Sequence, residues 1–267
     1  STTSLRPDYP KAADRTPSLR QSRKVLPREY ITKMARLSRS AGCTMFILVL
    51  ALYSLVTASE TGAEDVVVPT WWSGREDFAT EDLIGFFLRV LPMRIMVRPA
   101  DTFAEFLRKV RLSALEVYEH SAISTMSLIE AVPEAAVAFA DPEYVWSIFQ
   151  VMYGPGQADL TMIDGTWRRQ LFEDNSEWAD DILDSFAQDL NFRIVIEEDA
   201  VRINATYDAS LFQAESVETM TSRFVSLLAW ATDGELPRAP VGHILAGLRG
   251  GGLTVGIPRA PANRSAE

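Results

Sequence analysis

Few residues of this sequence could carry acid–base, nucleophilic or metal chemistry. The 267 residues include only two histidines, His120 and His243, and one cysteine, Cys43. One cysteine cannot form an internal disulfide or a thiolate zinc cage, and two histidines cannot make a three-histidine metal site. His120 follows a helical pattern, and we predict that it lies at the C-terminus of that helix, where the dipole favours a cationic imidazole. We therefore predict no metal centre and no histidine that acts in catalysis.

An acidic segment is the other candidate for metal chemistry. The residues from Glu173 to Asp189 include seven acidic and no basic side chains. Asp180, Asp181 and Asp184 lie close together in it, but the spacing lacks the glycine and the terminal glutamate of a calcium-binding loop. We interpret the segment as a solvated loop. The sequence also has no glycine-rich phosphate loop and no nucleophile elbow, so it shows no self-contained catalytic motif.

The segments that would position a site alternate between helical and extended patterns. Apolar residues at three- and four-residue spacing predict helices, whereas β-branched or alternating runs predict strands. The predicted helices are 27–40, 44–59, 102–120, 124–132 and 214–232. The predicted strands are 66–68, 91–97, 144–153, 166–172, 191–196 and 201–207. This alternation favours an α/β layered sandwich in which a mixed β-sheet is flanked by helices.

The charge is distributed unevenly along the chain. The formal net charge of −10 argues against a general nucleic-acid binder. Residues 1–40, in contrast, carry ten basic and three acidic side chains. We divide the chain into a basic extended leader at 1–26, a folded body at 27–240 and a flexible tail at 241–267. The leader is expected to dock on the acidic body rather than on nucleic acid.

The longest apolar run extends from Met45 to Val56. It has twelve residues, which is fewer than the ~18 that indicate a membrane span. We interpret this run as a buried helix and expect no membrane association. Because the chain has a single cysteine, we expect a reducing and therefore cytoplasmic location.

Four segments follow one another in a recognisable order. Asp65–Arg75 is an apolar strand pattern that ends in Gly-Arg, and Ile84–Arg94 reads I-G-F-F-L-R-V-L-P-M-R. Ser147–Tyr153 reads S-I-F-Q-V-M-Y, and Tyr207–Phe212 reads Y-D-A-S-L-F. In order and spacing these four segments resemble motifs of the condensation domains of nonribosomal peptide synthetases. The corresponding family motifs are a strand that ends in Gly-Arg, I/V-G-x-F-V-N-T-L-P-x-R, P-L-F-Q-V-x-F and Y-x-x-x-L-F. The resemblance covers roughly residues 5–237.

The resemblance implies the fold of one lobe of a two-lobed domain. Each lobe of a condensation domain resembles a chloramphenicol acetyltransferase monomer, and two carrier-bound acyl groups meet in a tunnel between the lobes, where an amide bond forms. The motif H-H-x-x-x-D-G of this family lies in the N-terminal lobe, and neither histidine here matches it. We therefore expect this chain to be the C-terminal lobe, without a catalytic residue of its own and inactive alone.

The resemblance also implies site residues and partners. Arg75 would pair with the aspartate of the histidine motif across the lobes, and Gly85, Arg89 and Arg94 would lie at the interlobe surface or in the tunnel. The expected partners are an N-terminal lobe and a carrier protein whose phosphopantetheine holds the substrate. No cofactor is expected to bind the chain directly, and self-association through the exposed tunnel face is a further possibility.

Other details depart from the family pattern. Arg89-Val90 replaces the Asn-Thr of the second motif. The segment His120-Ser-Ala-Ile-Ser-Thr-Met126 keeps only the first residue of the family motif H-Q-D-x-P-F-E. Two alternative functions therefore stay open. The chain could be a non-catalytic module that holds a carrier protein or another enzyme, or a lobe of an acyl-CoA-dependent acyltransferase.

Overall fold

Helices and strands alternate along the chain in the computed structural model, which describes residues 5–12, 15–74, 83–85, 87–132, 144–154, 189–233 and 238–250. The strands are β1 (Leu19–Pro27), β2 (Asp65–Trp72), β3 (Arg89–Met96), β4 (Ser147–Tyr153), β5 (Leu190–Ile196) and β6 (Ala200–Asp208). The helices are α1 (Glu29–Ser40), α2 (Met45–Thr61), α3 (Phe103–Glu119), α4 (Thr125–Ala131), α5 (Ala214–Thr232) and α6 (Val241–Gly250). The strand predicted at 166–172 lies outside the described residues.

The strands form one mixed sheet in the order β1-β6-β5-β4-β2-β3. The pairs β1–β6, β5–β6 and β2–β3 are antiparallel, whereas β4 runs parallel to both β5 and β2. The turn of the β5–β6 hairpin falls at residues 197–199, where the polar residues Glu198 and Asp199 predict it. The α/β sandwich with a mixed sheet flanked by helices is thereby confirmed.

One face of the sheet, which we call the apolar face, packs against helices. Tyr53 of α2 stacks on Phe149 of β4, with ring centroids 4.7 Å apart. Phe224 of α5 meets Phe192 of β5 edge to face at 5.2 Å. Since Phe149 and Phe192 are paired in register, they lie side by side on this face. These fully buried rings form the centre of the core.

Helix α2 runs through the middle of this core. Its residues from Ile47 to Ser59 are all buried, because the segment is apolar around its whole circumference. The helix begins at Thr44, whose hydroxyl accepts a hydrogen bond from the backbone N–H of Ile47. It ends at Gly62, which adopts a left-handed conformation with φ of 74°. The prediction of a buried helix is therefore confirmed, with an end two residues later than predicted.

A segment near each end of the chain attaches to the folded body through an element of secondary structure. Residues 19–26 of the predicted leader belong to β1, which pairs along its whole length with β6 and closes one edge of the sheet. The predicted tail begins with helix α6, in which Val241, Ile244, Leu245 and Leu248 are buried. Residues 19–26 of the predicted leader are thus an extended edge strand, and residues 241–250 of the predicted tail are helical. In each case a few apolar residues among Arg, Gly and Pro are enough to attach the segment to the core.

Within the described ranges, no single helix has both the length and the hydropathy needed to cross a membrane. Helices α1 and α2 satisfy the criterion of length and composition only when taken together, and they are bent by 96° relative to each other.

Candidate functional site

The first two sequence motifs meet as neighbouring antiparallel strands. Trp72, near the Gly-Arg strand end, is paired with Arg89 of β3. Beyond the strand, Gly74 has a φ of 66°, and a Cβ atom at this position would overlap the backbone carbonyl of Phe87. Both the left-handed backbone and the close approach require glycine. The fold therefore places the Gly-Arg end directly against the Ile84–Arg94 motif.

The other two motifs occupy the centre and the far side of the sheet. Phe149 of the third motif lies beside Thr70 of β2. The fourth motif begins in β6 and buries Tyr207, Leu211 and Phe212 before α5 starts. All four segments thus contribute residues to the same sheet.

The predicted interlobe residues are distributed over different surfaces. Arg75 lies outside the described residues, and Gly85 is exposed. Arg89 donates a hydrogen bond from Nη1 to the carbonyl oxygen of Ser121 at 2.9 Å. Arg94 forms two hydrogen bonds with the carboxylate of Asp65, at 2.7 and 3.0 Å. Because Arg94 lies five positions after Arg89 on one strand, an odd number, their side chains point to opposite faces of the sheet.

Arg94 and Asp65 form an ion pair at the surface. The side chain of Arg94 is 69% exposed. The pKa of Asp65 lies below its usual range, mainly because Arg94 donates hydrogen bonds to its carboxylate. Solvent screens such an exposed pair, so its effect on stability is small.

The sheet face opposite the helices buries polar side chains; we call it the polar face. One row across three strands consists of Gln150, Arg193 and Asn204, and Asn191 and Thr206 lie in the next row. All five are buried. In the part of the chain that the structure describes, no hydrogen-bond partner is found for Gln150 Oε1, Asn204 Oδ1, or Asn191 Oδ1 and Nδ2. Sequence reasoning missed these residues, although polar residues at every second position of β5 and β6 were the available signal.

Two buried carboxylates fix the leader to the body. Asp189 accepts hydrogen bonds from Lys11 and Arg15, and Arg15 also bridges to Asp208. Burial raises the pKa of Asp208, but backbone N–H groups of Ser18 and Ser210 and the charge of Arg15 outweigh it, so the net shift is downward. The predicted docking of the basic leader on an acidic body is therefore seen in these ion pairs.

A second contact of the leader caps a helix. The N-cap residue of α5, Gln213, makes no side-chain capping hydrogen bond. Instead, the carboxylate of Asp8 accepts hydrogen bonds from the backbone N–H of Gln213 at 2.8 Å and from the hydroxyl of Ser216 at 3.0 Å. A negative group at a helix N-terminus is stabilised by the helix dipole.

The comparison with protein families decides the identity of this fold. The family model described as "Condensation domain" matches residues 1–243. The chain belongs to the condensation-domain family. Among curated relatives, bacitracin synthase 3 of Bacillus licheniformis is 28% identical over 200 residues, which are 75% of this chain and 3% of that protein. This condensation-domain chain therefore spans only a small part of the curated relatives that it matches.

Solved structures agree with the condensation-domain fold. The SgcC5 protein of Streptomyces globisporus superposes with a TM-score of 0.70 at 21% identity, over 90% of this chain and 53% of that one. The X-domain from teicoplanin biosynthesis superposes with a TM-score of 0.68 at 20% identity, over 90% of this chain and 52% of that one. These similarities establish the fold.

The candidate reactive residues of the condensation-domain chain lie away from the sheet motifs in sequence. His120 is exposed and is the C-cap residue of α3, in agreement with the predicted helix C-terminus. His243 is exposed on α6, and burial raises the pKa of the half-buried Cys43 thiol. No group of three or more metal-ligating side chains occurs in the described ranges, and the acidic segment at 173–188 lies outside them.

Proposed function

We propose that this chain is the C-terminal half of a condensation domain that forms amide bonds in nonribosomal peptide synthesis. The observation that carries the proposal is the extent of structural overlap. The chain aligns over 90% of its own length but over only 53% of SgcC5 and 52% of the X-domain. Such an overlap is what one lobe of a two-lobed fold would give.

In this proposal, the reaction needs a first lobe that carries H-H-x-x-x-D-G. The acceptor amine attacks the thioester carbonyl of the donor, so that a C–N bond forms, the C–S bond breaks and the amine proton ends on the departing thiol. The histidine of the first lobe would orient or deprotonate the amine, which requires hydrogen-bond reach. Both acyl groups would arrive on the phosphopantetheine of partner carrier proteins.

The interlobe surface in this proposal lies around the first two motifs. Leu83 is 53% exposed and Ile84 is fully exposed, immediately before Gly85. Exposed apolar side chains in one segment are typical of a surface that another protein covers. We propose that Arg75 and Gly85 border this surface, that Arg89 and Arg94 border it from the two faces of the edge strand β3, and that Arg75 pairs with the aspartate of the first lobe.

A binding measurement tests the lobe pairing. The chain and a separately produced N-terminal lobe with the histidine motif are titrated against each other by calorimetry. We expect a complex that Arg75→Ala weakens at least tenfold, since a buried charge loses its partner. The control Arg39→Ala changes an exposed arginine of α1 and should leave the affinity unchanged. Absence of a complex, or equal affinities for both variants, would contradict the proposed pairing.

A non-catalytic interaction module is the second candidate. One structural neighbour is a complex of the X-domain and OxyB from teicoplanin biosynthesis, with a TM-score of 0.68. By analogy, this chain would hold a partner enzyme without forming bonds. Binding of a carrier protein or enzyme with an affinity that Arg75→Ala leaves unchanged, together with no amide product when both lobes are present, would favour this function.

A further inference from the structure

A groove runs along helix α5 beside the leader, and we call it the α5 groove. Its charged lining includes Arg6 and Asp8 of the leader, Glu60 at the end of α2, and Glu215 and Arg223 of α5. The buried apolar residues that line it are Leu5, Leu190, Phe212, Val217 and Met220. Its volume is about 430 Å³, which is typical of ligand sites. The α5 groove is therefore large enough to receive a few apolar side chains.

Helix α6 brings the chain that follows it to one end of this groove. Arg249, in the last turn of α6, donates a hydrogen bond from Nε to the carbonyl oxygen of Ser59 at 3.3 Å. The next residue of α2 is Glu60, which lines the groove and pairs with Arg223 of α5. The chain that continues from Gly250 therefore starts near the Arg223 end of the groove.

The sequence after α6 has the pattern of an extended apolar segment. Residues 251–267 lie outside the described residues. Leu253, Val255 and Ile257 alternate with small or polar residues, and this period of two is typical of an extended chain. Pro258 follows, and a residue that precedes proline favours an extended backbone. In such a segment the three apolar side chains lie on one face.

The length and the charge of this segment fit the α5 groove. Helix α5 rises by ~15 Å from Gln213 to Arg223, and residues 253–257 span ~13 Å when extended. Because the chain starts near Arg223, it runs toward the N-terminus of α5. Arg259 then comes within reach of Glu215, which is exposed in the first turn of α5. Opposite charges at this end favour the same direction.

We propose that residues 253–259 dock in the α5 groove as an extended segment of the same chain. Leu253, Val255 and Ile257 contact the apolar residues of the groove, and Arg259 pairs with Glu215. Since the leader forms part of the lining, the docked segment connects the leader, α2 and α5 at one place on the surface.

Limited proteolysis of the 267-residue chain tests the docking. Trypsin cleaves after Arg259, within the proposed docked segment, and after Arg264, outside it, and mass spectrometry separates the products. A synthetic peptide with the sequence of residues 251–267 gives the ratio of the two initial rates without docking. Relative to cleavage after Arg264, we expect cleavage after Arg259 to be about tenfold slower in the chain than in the peptide, because a docked segment must detach before it is cleaved.

Matched variants identify the contacts. Val255→Asp should abolish the protection, because it places a charge against the apolar lining. Thr254→Asp is the control, since it places the same charge on the opposite face of the segment, and it should keep the protection. In the groove, Glu215→Arg should reduce the protection about threefold, because an exposed ion pair is lost. Glu116→Arg changes an exposed glutamate of α3 and should leave the protection unchanged.

Several results would overturn the docking. These are equal relative rates in the chain and the peptide, equal effects of Val255→Asp and Thr254→Asp, or protection that neither Val255→Asp nor Glu215→Arg reduces. Protection that disappears when the chain is diluted would also overturn it, because the groove would then hold the segment of a second copy. The assay contains neither a first lobe nor a carrier protein, so its outcome is independent of the proposed function.

Discussion

The two faces of the six-stranded sheet bury residues of opposite character. On the apolar face, the rings of Tyr53, Phe149 and Phe192 pack against one another at centroid distances between 4.7 and 6.5 Å. On the polar face, the same strands β4 and β5 bury Gln150 and Asn191 instead. The period of two along each strand produces this separation. The difference indicates that hydrophobic packing on one face stabilises the fold, whereas the other face buries polar groups whose hydrogen bonds decide their effect on stability.

The polar face itself has two parts. At one end, Asp208 accepts hydrogen bonds from Ser18 and Ser210 and pairs with Arg15. In its centre, Gln150, Asn191 and Asn204 keep polar atoms without partners among the described residues. The carboxylate is thus compensated within the fold, whereas these amides bury polar atoms without a partner among the described residues.

The largest expected effect comes from the apolar face. Phe192→Ala should lower the free energy of unfolding by about 3–5 kcal/mol, because it removes a fully buried ring and leaves a cavity beside Tyr53 and Phe224. Urea denaturation measures this loss. Val195→Ala on the polar face is the control, since Val195 is only half-buried, and it should cost about 1 kcal/mol or less. Similar losses in both variants would contradict the contrast between the faces.

The ion pair that holds the leader should give the next largest effect. Arg15→Met keeps the length of the side chain but leaves Asp208 buried without the guanidinium, so it should cost about 3 kcal/mol at neutral pH. Because the pKa of Asp208 is lowered in the folded state, the stabilisation is present above an unfolded pKa of about 3.9 and is lost as the pH falls further. Urea denaturation of both proteins at neutral and at acidic pH measures the difference. An equal difference at both pH values would contradict this account.

A gain of stability is expected in the centre of the polar face. Gln150→Leu replaces a buried amide by an apolar side chain of similar size. The variant should be more stable by about 1 kcal/mol, because it removes Oε1, for which the described residues offer no hydrogen-bond partner. Thermal and urea unfolding check the sign. A loss of stability would mean that Gln150 Oε1 accepts a hydrogen bond in the folded chain. Both parts of the polar face would then consist of hydrogen-bonded polar groups.

The smallest effect is expected at the exposed ion pair. Arg94→Ala should change the free energy of unfolding by less than about 1 kcal/mol, since Arg94 is 69% exposed. Urea denaturation in low and high salt measures this difference, which added salt should reduce further. If Arg94→Ala lowered the free energy of unfolding as much as Arg15→Met, the difference in solvent exposure would not explain the strengths of the two ion pairs.

Much of the fold could be predicted from the sequence. Apolar periodicity placed α2, α3 and α5 within a few residues of their observed bounds. Thr102, the first residue of the helix predicted at 102–120, is the N-cap of α3 and forms a capping box with Glu105. Such patterns predict helices well because the interactions that they reflect lie within a few residues of each other in the same helix. The edge strand β1 and helix α6 were missed, because their attachment depends on partners distant in sequence.

The candidate site was less accessible to sequence reasoning. The resemblance implies that Arg89 and Arg94 share one interlobe surface. The pleat of β3 instead directs them to opposite faces of the sheet, where Arg89 contacts Ser121 and Arg94 contacts Asp65. The buried amides of the polar face were not identified, because an alternating pattern does not tell which polar residues are shielded from solvent. Only the register of β4, β5 and β6 brings them into neighbouring rows.

Amide formation by recombined lobes tests the central claim most directly. The chain is mixed with a separately produced N-terminal lobe that carries H-H-x-x-x-D-G and with two carrier proteins loaded with donor and acceptor, and products are identified by mass spectrometry. We predict an amide product only when both lobes are present. Product formed by this chain without the first lobe, or no product from lobes that bind each other, would contradict the account.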